Sequence, residues 1–342
     1  MSKQNKAVYM TGLNQLETRD QEIPSLANDQ VLVNIEYVGI CGSDVHYLEH
    51  GAIGDFVVDK DFILGHECAG TIVEIGSDVT ELKVGDRVAL EPGATCGQCE
   101  FCKSGKYNLC PDVEFLATPP YHGCLTNYLA FPANMCFKLP DNISTKEGAL
   151  IEPLAVGLHA AKQGNVTLGS SVIILGAGCI GLVTLLASKA FGATDITVVD
   201  VIEKRLDYAK KLGATRVVNA AREDVLELDE ADIVIETAGN RITIQQTPLL
   251  VKRGGTIVLV GMAAEDTIEY NFAKIMAKEA TIKSVFRYRN LYPTAISAVS
   301  GGKIDITGIV THEFDFDQAS EAFDYVINNK NDVVKAVIKI KN

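Results

Sequence analysis

Apolar and polar positions change their rhythm twice along the chain. Up to about residue 152 the apolar residues fall in short runs of strand length, broken by glycine and proline. Val31–Val38 and Gly70–Ile75 read as strands, and Gly85-Asp86 is a turn before the strand-like Arg87–Leu90. Short strands punctuated this way predict a compact β-barrel-like domain. From about residue 153 strands and helices alternate. Ser171–Leu175 is a continuous apolar run, the pattern of a strand buried on both faces. Gly181–Phe191 predicts a helix, Ile196–Val199 a strand and Glu203–Leu212 a helix. Arg216–Asn219, Asp232–Glu236, Thr256–Val260 and Thr281–Val285 predict further strands. Such a βαβ series implies an open parallel sheet. After about residue 290 the texture is mixed again, with an amphipathic helix over Gln318–Asn328 and a last strand over Ala336–Ile340. This tail is expected to pack back on the first domain.

A chain of 342 residues favours two domains. With 47% hydrophobic and 22% charged residues it has material for real cores. The net charge of −13 argues against nucleic-acid or anionic-membrane partners, whose phosphates need clustered Lys and Arg; it is read as a solubility feature. No apolar stretch reaches the roughly 18 residues that cross a bilayer, and Met1–Met10 lacks the apolar run of a secretory signal. Nine cysteines, an odd number, fit a reducing compartment. A cytoplasmic location is therefore expected.

Gly176, Gly178 and Gly181 form G-x-G-x-x-G between a buried strand and a helix, the context that gives this motif its meaning. Gly176 allows the tight turn, Gly178 lets backbone approach a pyrophosphate, and Gly181 lets strand and helix pack closely. The helix N-terminus offers free N–H groups to phosphates. Asp200, at the end of the second strand, can accept both ribose hydroxyls and would repel a 2′-phosphate, so NAD is favoured over NADP. The competing role for Asp200 is a helix N-cap. Arg205 could cover the adenine or its ribose, or be a solvated helix charge.

Cys96, Cys99, Cys102 and Cys110 have the spacing C-x2-C-x2-C-x7-C. Four thiolates this close can complete a tetrahedral shell around structural Zn²⁺; two disulfides or an iron–sulfur cluster are the alternatives. A second set is dispersed: Cys41, His66, Glu67 and Glu152. A thiolate, an imidazole and a carboxylate leave one coordination place open, as a catalytic zinc requires. Taken singly, these residues also have the bland readings of a core cysteine, a satisfied histidine and surface acids.

Together, Cys41-x-Ser43-x-x-His46, Gly65-His66-Glu67, the four-cysteine lobe, the glycine motif and Asp200 resemble the zinc-dependent medium-chain alcohol dehydrogenases over essentially the whole chain. The resemblance implies an α/β protein. A GroES-like β-rich catalytic domain would span 1–152 and be completed by 290–342, and a Rossmann NAD-binding domain with a doubly wound parallel sheet would span 153–289. Within that family Cys41–Tyr47, Phe115–Pro120, Gly148–Pro153 and Val285–Tyr288 are most similar to the polyol branch, the sorbitol (L-iditol) and xylitol dehydrogenases. The branch uses a carboxylate where ordinary members have a cysteine. The resemblance then implies Cys41, His66 and Glu67 as zinc ligands, with Glu152 on the zinc water or exchanging with Glu67. Ser43 and His46 would relay protons, with Glu152 a second candidate. Tyr47, Phe115, Arg287 and Tyr288 would line the polyol pocket. Ile180, Val260, Val285, Phe286 and Arg287 would meet the cofactor. The full four-cysteine lobe departs from animal sorbitol dehydrogenases and leans towards a microbial enzyme with both zincs. His122 and Cys124 are read as structural.

The implied reaction is NAD-linked, reversible oxidation of a secondary hydroxyl of a sorbitol-, xylitol- or L-iditol-type polyol to a ketose, by a homotetramer whose partners are small molecules, neither nucleic acid nor membrane. A threonine or 2,3-butanediol dehydrogenase shares the zinc and NAD motifs. A non-catalytic zinc and dinucleotide binder is the rival of another class.

Overall fold

In a computed structural model, which describes residues 4–340, the chain divides into two units. One comprises the described residues up to Glu152 together with Tyr292–Ser300 and the chain from Val310 onward. The other comprises Pro153–Leu291 and Gly301–Ile309.

The first unit is built on the strand Gln30–Gly39. Val31, Val33 and Ile35 are fully buried and alternate along it, so one face of the strand enters the core. Each such side chain contributes about 1.5–3 kcal/mol by leaving water. The sheet runs in the order Cys136–Lys138, Arg87–Leu90, Glu67–Ile75, Gln30–Gly39, Lys335–Lys339, Val310–Asp315, with Tyr128–Pro132 also pairing with Gln30–Gly39. Gly70 is required here, because any Cβ would collide with the Asn34 carbonyl across the ladder. The strand Lys335–Lys339 pairs antiparallel with Gln30–Gly39, so the tail returns to the first unit. The helix Ala319–Asn328 buries Ala319, Ala322 and Phe323 in the same core. Two further strands, Asn5–Gly12 and Gln15–Gln21, form a hairpin extended by Phe62–Ile63.

The second unit holds six parallel strands in the order Arg216–Asn219, Asp195–Asp200, Ser171–Leu175, Ala231–Glu236, Val251–Leu259, Thr281–Ser284. Numbered along the chain this is 3-2-1-4-5-6, the doubly wound Rossmann order. Val172, Ile173, Ile174 and Leu175 are 3% exposed or less, as a central strand covered on both faces must be. The strand order reverses between Ser171–Leu175 and Ala231–Glu236, and ligands of such sheets bind at the carboxyl ends of the strands at that point.

Candidate active site and metal centres

The helix Gly42–His50 begins at Cys41, and Asp44 closes its first turn with a capping box. Asp44 accepts hydrogen bonds from the backbone N–H of Cys41 at 3.0 Å and of Gly65 at 2.9 Å, and is 1% exposed. One buried carboxylate thus joins the helix start to the turn before the strand Glu67–Ile75, bringing Cys41 beside His66. Asp44 Oδ1 lies 3.6 Å from His66 Nδ1, an ion-pair distance too long for a hydrogen bond. Burial works against both charges. The Asp44 carboxyl is nevertheless held below its usual range, because the His66 charge and the two backbone donors outweigh that cost. The His66 ring is likewise pushed well up, against its burial, by Asp44 and Cys41.

Potential ligand atoms of Cys41, His66 and Glu67 all lie within 4.8 Å of one another. The thiol, imidazole and carboxylate form a three-donor set of the kind that leaves a zinc one open place. Both Glu67 oxygens accept hydrogen bonds from Lys335 Nζ, at 2.7 and 2.8 Å, and the ammonium also donates to the Ile40 carbonyl at 3.0 Å. Gly39 makes room for this carboxylate, since a Cβ there would collide with Glu67 Oε2. Glu152 opens the helix Ile151–Gln163 and is 6% exposed, but it does not join the three-residue cluster. The Phe115 ring lies 5.8 Å from that of His66. Tyr47 is buried in the core against Phe62. Ser43 is half-buried, and His46 is exposed with its ring 4.6 Å from His50.

The thiol sulfurs of Cys96, Cys99, Cys102 and Cys110 also lie within 4.8 Å of one another. A tetrahedron of zinc–thiolate bonds places its sulfurs roughly 3.8 Å apart, so the four-cysteine donor set fits this metal. None of the four is in a disulfide. The Cys99 N–H points at Cys96 Sγ and the Cys102 N–H at Cys99 Sγ, each at 3.4 Å, and such donors favour thiolates. The Gln98 N–H, and after it the Cys99 N–H, bring the Cys96 thiol down to about 7, whereas burial pushes Cys110 up to about 12. Tyr107, in the same lobe, donates to Glu91 at 2.6 Å and so ties the lobe to the end of the strand Arg87–Leu90. Burial carries Glu91 up to about 7, opposed by the Tyr107 hydrogen bond and reinforced by the Glu152 charge.

In the second unit a cavity of about 570 Å³ opens at the carboxyl ends of the sheet. Gly176, Gly178, Asp200 and Arg205 line it, with Thr237, Ala238, Asn240 and Thr243 on another wall. Gly176 has a φ of 103°, a backbone state that suits glycine, and Gly178 caps the helix Cys179–Phe191. Asp200 accepts from the Ala177 N–H at 2.7 Å and the Ile202 N–H at 2.9 Å, which pins the glycine loop to the second strand. Ile180 and Gly181 lie in the first turn of that helix. Val260 donates its N–H to the Glu236 carbonyl and Val285 to the Leu259 carbonyl, which places both just beyond their strands. Phe286 is 49% exposed under the Arg287 guanidinium, at 4.9 Å, and Tyr288 is 3% exposed.

Sequence reasoning passes over Asp44, Glu91, Lys335 and Glu236. Two had visible signs. Asp44 stands three residues after Cys41, the spacing of a capping box. Lys335 is a single charge inside the apolar run Val333–Ile338.

This class of site, a zinc-type donor set in a GroES-like unit and a dinucleotide fold in a second unit, agrees with known proteins. Residues 27–141 match the alcohol dehydrogenase GroES-like domain and residues 179–301 the zinc-binding dehydrogenase family. The chain is 53% identical over 333 residues to an uncharacterized zinc-type alcohol dehydrogenase-like protein, YdjJ, of Escherichia coli (strain K12), covering 94% of each. It is 43% identical over 340 residues to a sorbitol dehydrogenase of Bacillus subtilis (strain 168), covering 97% of this chain and 96% of the relative. Its structure superposes on that of an Escherichia coli oxidoreductase/dehydrogenase of unknown specificity with a TM-score of 0.95 and 50% identity, covering 99% and 100% of the two chains. The chain belongs to the zinc-dependent medium-chain dehydrogenases, in their polyol branch. It is an oxidoreductase acting on a CH–OH group.

Proposed function

We propose that the protein oxidises a secondary hydroxyl of a sorbitol-, xylitol- or L-iditol-type polyol to the ketose, reversibly and with NAD, as a cytoplasmic homotetramer carrying a catalytic and a structural zinc in each chain. The observation that carries the reading is the convergence of Cys41, His66 and Glu67 within 4.8 Å, with a carboxylate in place of a second thiolate. A carboxylate makes a harder, more hydrated metal site than a thiolate does, which suits a substrate with adjacent hydroxyls. The similarity to the sorbitol dehydrogenase of Bacillus subtilis supports the same substrate class.

Cys41, His66 and Glu67 would hold the catalytic zinc, and Cys96, Cys99, Cys102 and Cys110 the structural one. Zinc supplies a Lewis acid that makes a hydroxyl more acidic, and NAD supplies a hydride acceptor. Asp44 stands beside His66, and Lys335 balances the Glu67 charge. Glu152 accepts the hydroxyl proton or exchanges with Glu67, and Ser43 and His46 offer a second proton route. Of the residues proposed for the substrate, Arg287 provides donors only, whereas Tyr47 and Tyr288 can each donate and accept. Phe115 gives an apolar wall. Gly176, Gly178, Ile180, Gly181, Asp200, Arg205, Val260, Val285, Phe286 and Arg287 bind the dinucleotide, and the Asp200 carboxylate selects NAD by repelling a 2′-phosphate.

The test is NADH formation on sorbitol, xylitol, L-iditol, galactitol, threonine and 2,3-butanediol, with NADP in parallel and with chelator and Glu152→Ala controls. Polyol turnover with NAD, lost on chelation, is the expected result. Turnover confined to threonine or butanediol would discard the polyol pocket. Zinc-loaded protein without turnover on any substrate would favour a binding protein.

A further inference from the structure

Glu236 ends the fourth strand of the parallel sheet and is wholly buried. Its Oε1 accepts three hydrogen bonds, from the Ala238 N–H, the Gly239 N–H and the Thr243 hydroxyl, each at 2.8 Å. Among the described residues its Oε2 has no hydrogen-bond partner, and it faces Gly261, where an added Cβ would stand 2.9 Å from it. A buried carboxyl with one oxygen loaded and the other bare is costly to keep. Burial accordingly raises its pKa against the pull of the three donors.

All three donors belong to one structure, the turn after the strand and the first turn of the helix Arg241–Leu250. Thr237, Ala238, Asn240 and Thr243 of that segment line the cavity that also holds Gly176, Gly178 and Asp200. On the other side of the wall the Thr237 hydroxyl donates to the carbonyls of Leu175 and Gly176, at 3.0 and 3.1 Å. The turn is therefore fastened to the glycine loop through Thr237 and to the sheet through Glu236. Gly239, with a φ of 63°, cannot brace it by side-chain packing.

We infer that Glu236 is a positioning residue for the dinucleotide: its Oε1 fixes the wall Thr237–Thr243 against which the cofactor binds. This rests on the reading of the cavity as the NAD site. Glu236→Gln keeps an acceptor oxygen at the same reach. Glu236→Ala removes it, and Glu236→Asp withdraws it by one methylene while keeping the charge.

Two measurements test the inference. The first is calorimetric titration of zinc-loaded protein with NAD, alongside steady-state kinetics. Losing three hydrogen bonds to the wall should raise the Kd for NAD at least about tenfold in Glu236→Ala and Glu236→Asp. KM for NAD should rise with it while kcat changes little, and Glu236→Gln should stay near wild type. The second is hydrogen exchange in nucleotide-free protein, where the Ala238 and Gly239 amides should exchange faster in the Ala and Asp variants and remain protected in the Gln variant. A folded Glu236→Ala or Glu236→Asp with wild-type Kd and protection would overturn the inference. So would a Gln variant as impaired as the Asp variant. If Glu236→Ala does not fold, the Asp and Gln pair decides. Wild-type protein that binds no dinucleotide would instead overturn the cofactor reading, and amide exchange would still decide what Glu236 does.

Discussion

Lys335 Nζ lies 2.7 and 2.8 Å from the two carboxylate oxygens of Glu67, with the two side chains 3% and 1% exposed. A charge pair this deep is not a gain in itself, because removing both ions from water costs about as much as their attraction returns. Breaking it is another matter. Lys335→Met leaves an unpaired carboxylate in the core, which should cost about 3–5 kcal/mol in chelator-treated protein. Glu67→Gln in the same chain should recover much of that loss. Urea unfolding of the two single variants and the double variant gives the coupling directly. Additive single effects would mean that the pair contributes nothing.

The four-cysteine lobe has almost no core of its own. Its short helix Glu100–Lys103 has no buried residue, and the following 3-10 turn Tyr107–Leu109 buries only Asn108. On the proposed zinc reading, metal binding would be the main source of order in this segment. Cys110→Ser should remove one zinc per chain by elemental analysis, lower Tm and make the lobe the first site of proteolysis. The Cys41 centre should keep its metal. Loss of both metals together would show that the two centres are not independent.

Two glycines of one motif should behave differently. A Cβ on Gly181 would collide with the Gly176 carbonyl, whereas one on Gly178 meets nothing within 4 Å. Gly181→Ala should therefore deform the loop and lower Tm in the absence of cofactor. Gly178→Ala should leave Tm unchanged and still weaken NAD binding more than tenfold, over about 1.4 kcal/mol, because the backbone must approach a pyrophosphate there. Equal melting temperatures for both variants would refute the distinction.

The parallel sheet was legible mainly because its central strands, Ser171–Leu175 above all, are buried on both faces. Ser171–Leu175, Arg216–Asn219 and the helix Glu203–Leu212 coincide with the periodicity. The fifth strand was harder. It starts at Val251, ahead of the apolar run from Thr256, because Lys252, Arg253, Gly254 and Gly255 carry no strand pattern and the register shifts there. The hairpin Asn5–Gly12 and Gln15–Gln21 escaped for a similar reason: its second strand, Gln15-Leu-Glu-Thr-Arg-Asp-Gln21, is polar and held mainly by backbone pairing. At the candidate site the family resemblance points to Cys41, His66 and Glu67, and the structure brings their potential ligand atoms within 4.8 Å of one another. Asp44 and Lys335 left only hints, a capping-box spacing and a lone charge in an apolar run, and Glu236 left none, since the partners of all three are mainly backbone groups or residues far away in sequence. The Lys335–Glu67 contact spans 268 residues.

Asp200 has both oxygens engaged with backbone donors, Ala177 N–H and Ile202 N–H. Its charge is therefore held in place beside the cavity whether or not a nucleotide is bound. Asp200→Asn keeps one acceptor and removes the charge. The ratio of kcat/KM for NAD to that for NADP should fall about tenfold, a change of about 1.4 kcal/mol. Glu223 and Asp224 also line the cavity, so some discrimination should survive. An unchanged ratio would relieve Asp200 of its selective role.

His159, on the helix Ile151–Gln163, is 4% exposed, and its Nδ1 has no hydrogen-bond partner among the described residues. Burial, followed by the positive charges of Arg289 and Lys162, brings its pKa down from 6.5 to about 4. Between those values the unfolded chain binds a proton that the native chain refuses. Stability from this residue is thus fully present above pH 6.5 and declines as the pH falls towards 4, by at most about 3–4 kcal/mol. His159→Gln cannot take up the proton in either state. Its unfolding free energy, followed by urea titration across this range, should run flatter on the acid side than that of wild type, although burying an amide will lower it at neutral pH. Parallel curves for the two proteins would place the acid sensitivity elsewhere, since a histidine that titrates alike in both states adds no slope.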